Sequence, residues 1–170
     1  EYLQINDDAI PGTRIIPIIL TNNSLAETEQ WTIRLGKDGL KVVIVSSKET
    51  ADYSNSSDLI NHMKECELTE LPSVIVMCTN GPRINTCREM FKAFSHLSHS
   101  PRKDIIIRFD PAFDEIDKQT GLLKVFLKDL NRREYKTSNG DCGLINKILY
   151  ITATPTKGLF DTIRSFGVPD

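Results

Sequence analysis

Apolar residues in this chain gather in short runs rich in β-branched side chains, at residues 15–20, 40–45, 73–78, 104–109 and 147–152. The runs carry little polar alternation, and near-continuous apolar sequence suits strands buried on both faces. Between them the apolar positions fall at helical spacing: Leu25, Trp31 and Leu35; then Leu59, Ile60 and Met63; then Ile84, Cys87, Phe91 and Phe94; then Leu122, Leu123, Phe126, Leu127 and Leu130. This alternation predicts an α/β fold, a mainly parallel sheet of about five strands with helices on both faces and right-handed crossovers.

Punctuation between the runs refines the picture. Ser24 with Glu27 has the spacing of a capping box ahead of the first helix. Asn80-Gly81-Pro82 predicts a turn that leaves Pro82 at the first helical position. Residues 132–142 are polar, contain Asn139-Gly140 and predict an exposed loop. In Phe109-Asp110-Pro111-Ala112-Phe113, Pro111 predicts the end of a strand or a bulge. With no internal repeat, low-complexity tract or linker, residues 1–170 predict a single domain.

Composition then limits the partners. Hydrophobic residues make up 39% and charged residues 26%, and the formal net charge is −2. That balance is ordinary for a soluble globular protein. It argues against a broadly basic surface, although a local basic patch can still meet phosphates. The four cysteines, Cys66, Cys78, Cys87 and Cys142, show neither metal-ligand pairing nor a disulfide framework, and suit a reducing compartment. No apolar stretch approaches the ~20 residues that span a bilayer. Glu1 to Asp8 is acidic and polar, so neither membrane insertion nor a secretory signal is expected, and the chain reads as intracellular.

Ligands of open parallel sheets gather at the carboxyl ends of the strands. Polar clusters follow four of the five runs: Thr21-Asn22-Asn23-Ser24, Thr79-Asn80-Gly81-Pro82-Arg83, Asp114-Glu115-Ile116-Asp117 and Thr152-Ala153-Thr154-Pro155-Thr156. A carboxylate at a strand end, here Asp114, can hold Mg²⁺ through water while a neighbouring Glu115 orients an attacking water. The plainer alternative is that Asp114 caps a following helix, with Asp117 favoured by its dipole. Asp110 competes with Asp114 for the metal-facing position. Arg83, in a first helical turn, opposes the helix dipole by ~0.3–1 kcal/mol unless an anion binds there. The plainer reading of Arg83 is a solvated or salt-bridged side chain.

In order and separation these segments resemble the first RecA-like domain of superfamily 2 helicases, a P-loop NTPase type. They are closest in appearance to helicase-like proteins of large DNA viruses, over most of the chain from about Arg14 onward. Asp-Glu-Ile-Asp at 114–117 resembles the Asp-Glu-x-Asp box, and Thr-Ala-Thr-Pro at 152–155 resembles the third motif. The resemblance implies ATP and Mg²⁺ as cofactors, Asp114, Glu115 and Asp117 as catalytic residues, and Thr152 and Thr154 as coupling residues. It further implies that Thr21, Asn22, Asn23, Thr79, Asn80 and Arg83, with the helix containing Gln30-Trp31, meet a nucleic-acid backbone. Weak, sequence-independent contact with single- or double-stranded nucleic acid, and a second RecA-like domain in the parent protein, are implied as partners. If viral, the protein would act in the cytoplasm or nucleus of a host cell.

The phosphate-binding loop of that family, ending in Gly-Lys-Ser/Thr, does not occur in this sequence. Gly36-Lys37 precedes Asp38, and Pro11-Gly12-Thr13-Arg14, where such a loop would finish, has no lysine. The lysine and the backbone N–H groups of that loop cradle the phosphates. The chain is accordingly expected, as a fragment or a degenerate homologue, to hydrolyse ATP poorly. Two alternatives stand beside the helicase reading: a non-catalytic RecA-like module that binds nucleic acid or protein, and an unrelated flavodoxin-like nucleotide-binding domain.

Overall fold

The structure, a computed structural model, describes residues 12–22, 25–95, 104–114, 126, 144–145, 147–152 and 161. Its elements run β1 (Thr13–Thr21), α1 (Leu25–Lys37), β2 (Val42–Val45), α2 (Ser56–Glu65), β3 (Val74–Cys78), α3 (Gly81–Phe94), β4 (Ile106–Phe113) and β5 (Leu149–Tyr150). Among the described residues the strands form one five-stranded sheet in the order β2-β3-β1-β4-β5, and every ladder in it is parallel. The α/β architecture expected from the apolar runs is the one observed. The expected capping box at Ser24, the loop at 132–142 and the helix over 122–130 lie outside the described residues. Phe126 is the exception, being helical and fully buried.

Strand parity divides the side chains between two faces. Ile16, Ile18, Leu20, Ile75, Met77, Ile107, Phe109 and Phe113 point to the larger core, where α2 supplies Leu59 and Met63 and α3 supplies Ile84, Cys87, Met90 and Phe91. Ile19, Val74, Val76 and Ala112 point the other way, under Trp31 and Leu35 of α1. Burying each of the Ile, Leu, Val, Met and Phe side chains among these contributes ~1.5–3 kcal/mol. The larger core is rich in rings: Phe91 stacks on Phe126 and lies 5.4 Å from Phe109, and Phe113 stacks on Tyr150.

Helix ends follow local chemistry. Asn55 caps α2 by accepting from the Asp58 N–H at 2.9 Å, and Asn80 caps α3 by accepting from the Arg83 N–H at 3.1 Å. With Asn80 as the cap, Gly81 takes the first helical position and Pro82 the second, one place later than the sequence suggests. At the other end of α1, Gly39 adopts φ 73°. Its N–H reaches Gly36 O at 3.1 Å and the Leu40 N–H reaches Leu35 O at 3.4 Å, the paired closure for which a left-handed glycine is suited.

Of the two expectations at Pro111, a strand end or a bulge, the strand end is not met: β4 continues to Phe113. Along a parallel strand, N–H and C=O groups turn to alternate neighbours. The N–H groups of Ile106 and Asp114 reach β1, at Gly12 O and Leu20 O. Phe109 and Phe113 turn to the other side, where they meet Leu144 O and the Ile151 N–H. Pro111 shares the parity of Phe109 and Phe113, so its missing N–H falls on the β5 side. There the chain carries one extra residue: Phe109 bridges Ile145 while Ala112, three positions on, pairs with Leu149, four positions on. The Lys147 N–H donates to Asp110 Oδ1 at 3.0 Å instead of to a ladder carbonyl. β4 itself carries no bulge, because its register with β1 runs unbroken from Ile106 to Phe113; the extra residue lies in the segment facing Pro111.

Candidate functional site at the carboxyl edge of the sheet

Parallel pairing aligns the strand ends. Thr21 pairs with Cys78, Leu20 with Phe113, and Phe113 with Tyr150. Thr21 and Asn22, Thr79 and Asn80, Asp114, and Thr152 therefore share one edge, as the sequence reading required of Thr21, Asn80 and Asp114. Asn23, Glu115, Asp117 and Thr154 lie outside the described residues.

The connections create a crevice there. From β1 the chain passes to α1 on the smaller-core face, toward β2. From β4 it passes to the opposite face, where Phe126 packs on Phe91 and Phe113. The neighbours β1 and β4 thus send their continuations to opposite faces, which defines a topological switch point between Thr21 and Asp114.

On the β3 side of this point the polar groups turn inward. The Thr21 carbonyl accepts from both the N–H and the hydroxyl of Thr79, at 2.8 and 2.7 Å. Thr21 Oγ1 donates to Asn22 O at 3.0 Å and lies 3.2 Å from Thr28 Oγ1, which lies 3.2 Å from Cys78 Sγ. One direction satisfies all three contacts: the thiol donates to Thr28, Thr28 to Thr21, and Thr21 to the Asn22 carbonyl. Thr21, Thr28 and Thr79 are buried, so these hydroxyls fasten α1 and β3 to β1. Thr28 escaped the sequence reading, and its signal was a polar residue on the helix face that also carries Trp31 and Leu35.

Arg83 is buried at 8% exposure, and its Nη1 donates to Ser54 O at 2.9 Å. The guanidinium that opposes the α3 dipole is thus held by a carbonyl of the loop after β2. That loop adds a cation the sequence reading passed over, Lys48, whose Nζ lies 2.6 Å from Glu29 Oε1 of α1. Both are well exposed, and such pairs contribute ~0–1 kcal/mol.

Of the two aspartates, Asp114 stands at the edge and Asp110 does not. Asp110 is 5% exposed within β4, with Oδ2 3.9 Å from Lys147 Nζ in addition to the Lys147 N–H contact. Asp114, directly after β4, accepts through Oδ2 from Nε1–H of Trp31, which reaches across the switch point from α1. The only tryptophan of the chain is therefore hydrogen-bonded to the edge carboxylate. Among the described residues no His, Cys, Asp or Glu cluster of three or more could enclose a metal. Mg²⁺ needs no such cage, because it keeps several waters and takes one or two carboxylates plus substrate phosphates. A single carboxylate at the edge, such as that of Asp114, is enough for such a site.

No family model matches the chain, and no curated protein matches it. Among solved structures, a de novo designed protein with a P-loop NTPase fold, determined by solution NMR, is similar at 17% identity and a TM-score of 0.41, over 90% of this chain and 89% of that one. At that level the likeness bears on no functional point. No helix among the described residues is long and apolar enough to cross a membrane.

Proposed function

We propose that the chain is the first RecA-like domain of a superfamily 2 helicase or translocase. Its carboxyl sheet edge would face both a nucleotide's phosphates with Mg²⁺ and a nucleic-acid backbone. The observation that carries this reading is the Asp114 carboxylate, hydrogen-bonded to Trp31 of α1 at the switch point, where ligands of open parallel sheets bind. Asp114 would hold Mg²⁺ through water, which supplies charge neutralisation for phosphoryl transfer. Glu115 and Asp117 complete the acidic box in this reading, and Thr152 with Thr154 couples it to nucleic acid. Because Thr21 and Thr79 turn their hydroxyls inward, contact with phosphate falls to Asn22, Asn23 and the backbone of the two loops, with Asn80 and Arg83 shaping the second. Phosphate contacts of this kind position a strand without reading its bases.

The sheet order favours this reading over a flavodoxin-like domain, whose order is 2-1-3-4-5; here β3 lies between β2 and β1. A non-catalytic RecA-like binding module is favoured by one observation, the lack of Gly-Lys-Ser/Thr in the sequence. Both readings predict turnover below ~1 s⁻¹ with Mg²⁺-ATP and single-stranded DNA, under the common range for enzymes. Faster phosphate release would require a different phosphate site.

Fluorescence anisotropy with labelled single- and double-stranded oligonucleotides, at several salt concentrations, tests the nucleic-acid contact. Weak, sequence-indifferent binding that fades with salt is expected. Asn22→Glu, which sets a negative charge at the loop after β1, should remove most of it. Lys37→Ala, at the far end of α1, should change little. Absence of binding at low salt for both oligonucleotides would leave the protein-binding form of the module.

A further inference from the structure

We infer that Trp31 is a positioning residue for Asp114: its indole N–H holds the carboxylate in the orientation that receives a hydrated divalent cation, and ties that carboxylate to α1. The inference rests on the reading of Asp114 as the cation-facing group. Its own support is the geometry of the contact. Trp31 lies on the packed face of α1 with Thr28 and Leu35, and its ring is held against the smaller core. Its Nε1–H donates to Asp114 Oδ2 at the boundary of β1 and β4, one of the two beside β1 where neighbouring strands send the chain to opposite faces. Indole nitrogen is a donor only, so it can orient a carboxylate without competing for the cation. Groups that hydrogen-bond a metal-binding carboxylate commonly change metal affinity about 10–100-fold when removed.

The same contact connects two ends of the proposed machinery. α1 begins at the Thr21–Ser24 segment, which the functional reading assigns to nucleic acid, and Trp31 lies in its second turn. A cation drawn to Asp114 changes the charge beside the indole and hence the environment of α1. Because the chain has a single tryptophan, its fluorescence reports that change without a label.

Two substitutions separate positioning from packing. Trp31→Phe keeps an apolar ring and loses the donor; Trp31→His keeps a ring N–H and loses apolar bulk. A packing role ranks Phe above His in every measurement. A positioning role ranks Phe above His in thermal stability and His above Phe in cation affinity. The experiment titrates the full chain with Mn²⁺ alone, reads free Mn²⁺ by electron paramagnetic resonance, and follows wild-type tryptophan emission in parallel. Binding lost in Asp114→Asn, weakened roughly tenfold in Trp31→Phe and partly restored in Trp31→His is expected, with saturable wild-type emission changes that disappear in Asp114→Asn. If Asp114-dependent binding is as tight in Trp31→Phe as in wild type, the positioning role is overturned and the cation reading stands. If Mn²⁺ binding does not depend on Asp114, the cation reading fails and the positioning role with it.

Discussion

Asp110 and Pro111 solve one problem between them. Proline withholds a donor from the β5 side of β4, and the neighbouring carboxylate accepts the Lys147 N–H of the facing segment, which carries one extra residue. Asp110→Ala removes the acceptor of a part-buried hydrogen bond, and because Lys147 is exposed water can take its place, so the loss is that of an ordinary hydrogen bond, ~0.5–1.5 kcal/mol. Asp110→Asn keeps an oxygen there and should lose less, and urea denaturation of the two variants measures the difference. Equal losses would mean that the carboxylate acts through its charge toward Lys147 Nζ. Arg83 carries a similar lesson. Its sequence context suggested a cation awaiting an anion, yet a carbonyl 29 residues earlier, Ser54 O, receives it. Nothing local to Gly81-Pro82-Arg83 encodes that partner, because the contact exists only once β2 and β3 lie side by side.

At the scale of elements, the sequence was most legible where a period was long and unbroken. The packed face of α2 is the set named from helical spacing, Leu59, Ile60 and Met63, and that of α3 contains the named Ile84, Cys87, Phe91 and Phe94 together with Met90, which the spacing had not picked out. β4 was the hardest strand, because proline is a poor ladder residue only on the side where a donor is needed, and that side is set by partners distant in sequence. Asn55 was legible in principle: Asn55-Ser56-Ser57-Asp58 supplies a cap followed by an acidic first turn, but it also reads as a glycosylation acceptor. Asn80 serves as cap whatever ligand its loop meets, which yields a separable test. Asn80→Ala should destabilise the protein by ~0.5–2 kcal/mol, while Asn80→Asp, which keeps an accepting oxygen, should stay within a few tenths of wild type. Thermal unfolding of both reads the cap alone. An Asn80→Asp variant that is stable yet weakened for oligonucleotides would assign the loop a second role beyond its cap.

For the whole molecule, the candidate site could be read as an edge but not as a set of contacts. Parallel strands align their carboxyl ends regardless of sequence detail, so Thr21, Asn80 and Asp114 were placed together by topology. The inward turn of Thr21 and Thr79 and the Trp31–Asp114 bond depend on how α1 seats on the sheet, which no short motif records. The larger core lies on the opposite face, and its close burial has a consequence for stability. Cys87 is fully buried there, with its thiol donating to Met77 Sδ at 3.4 Å, and burial pushes its pKa from 9.0 up to about 12, against a smaller lowering by Arg88. Burial also raises Tyr150, from 10.0 to about 12. Unfolding releases the Cys87 thiol to ionise near its ordinary value, so between about 9 and about 12 the folded state holds a proton that the unfolded state has lost. The contribution is fully present below the unfolded pKa and disappears as pH rises through the folded one, at up to ~1.4 kcal/mol per pH unit for one group. Tyr150 joins only above 10.0, so the lower part of the window isolates the thiol. Urea denaturation across that window should give a falling stability whose slope is shallower, by close to one proton, in Cys87→Ala. The variant begins less stable at neutral pH, because a buried side chain has been cut back in a packed core, and the gap should narrow as the solution becomes alkaline. Parallel curves for wild type and variant would mean that the thiol ionises as readily in the folded protein as in the unfolded chain, and that water reaches the core beneath α3.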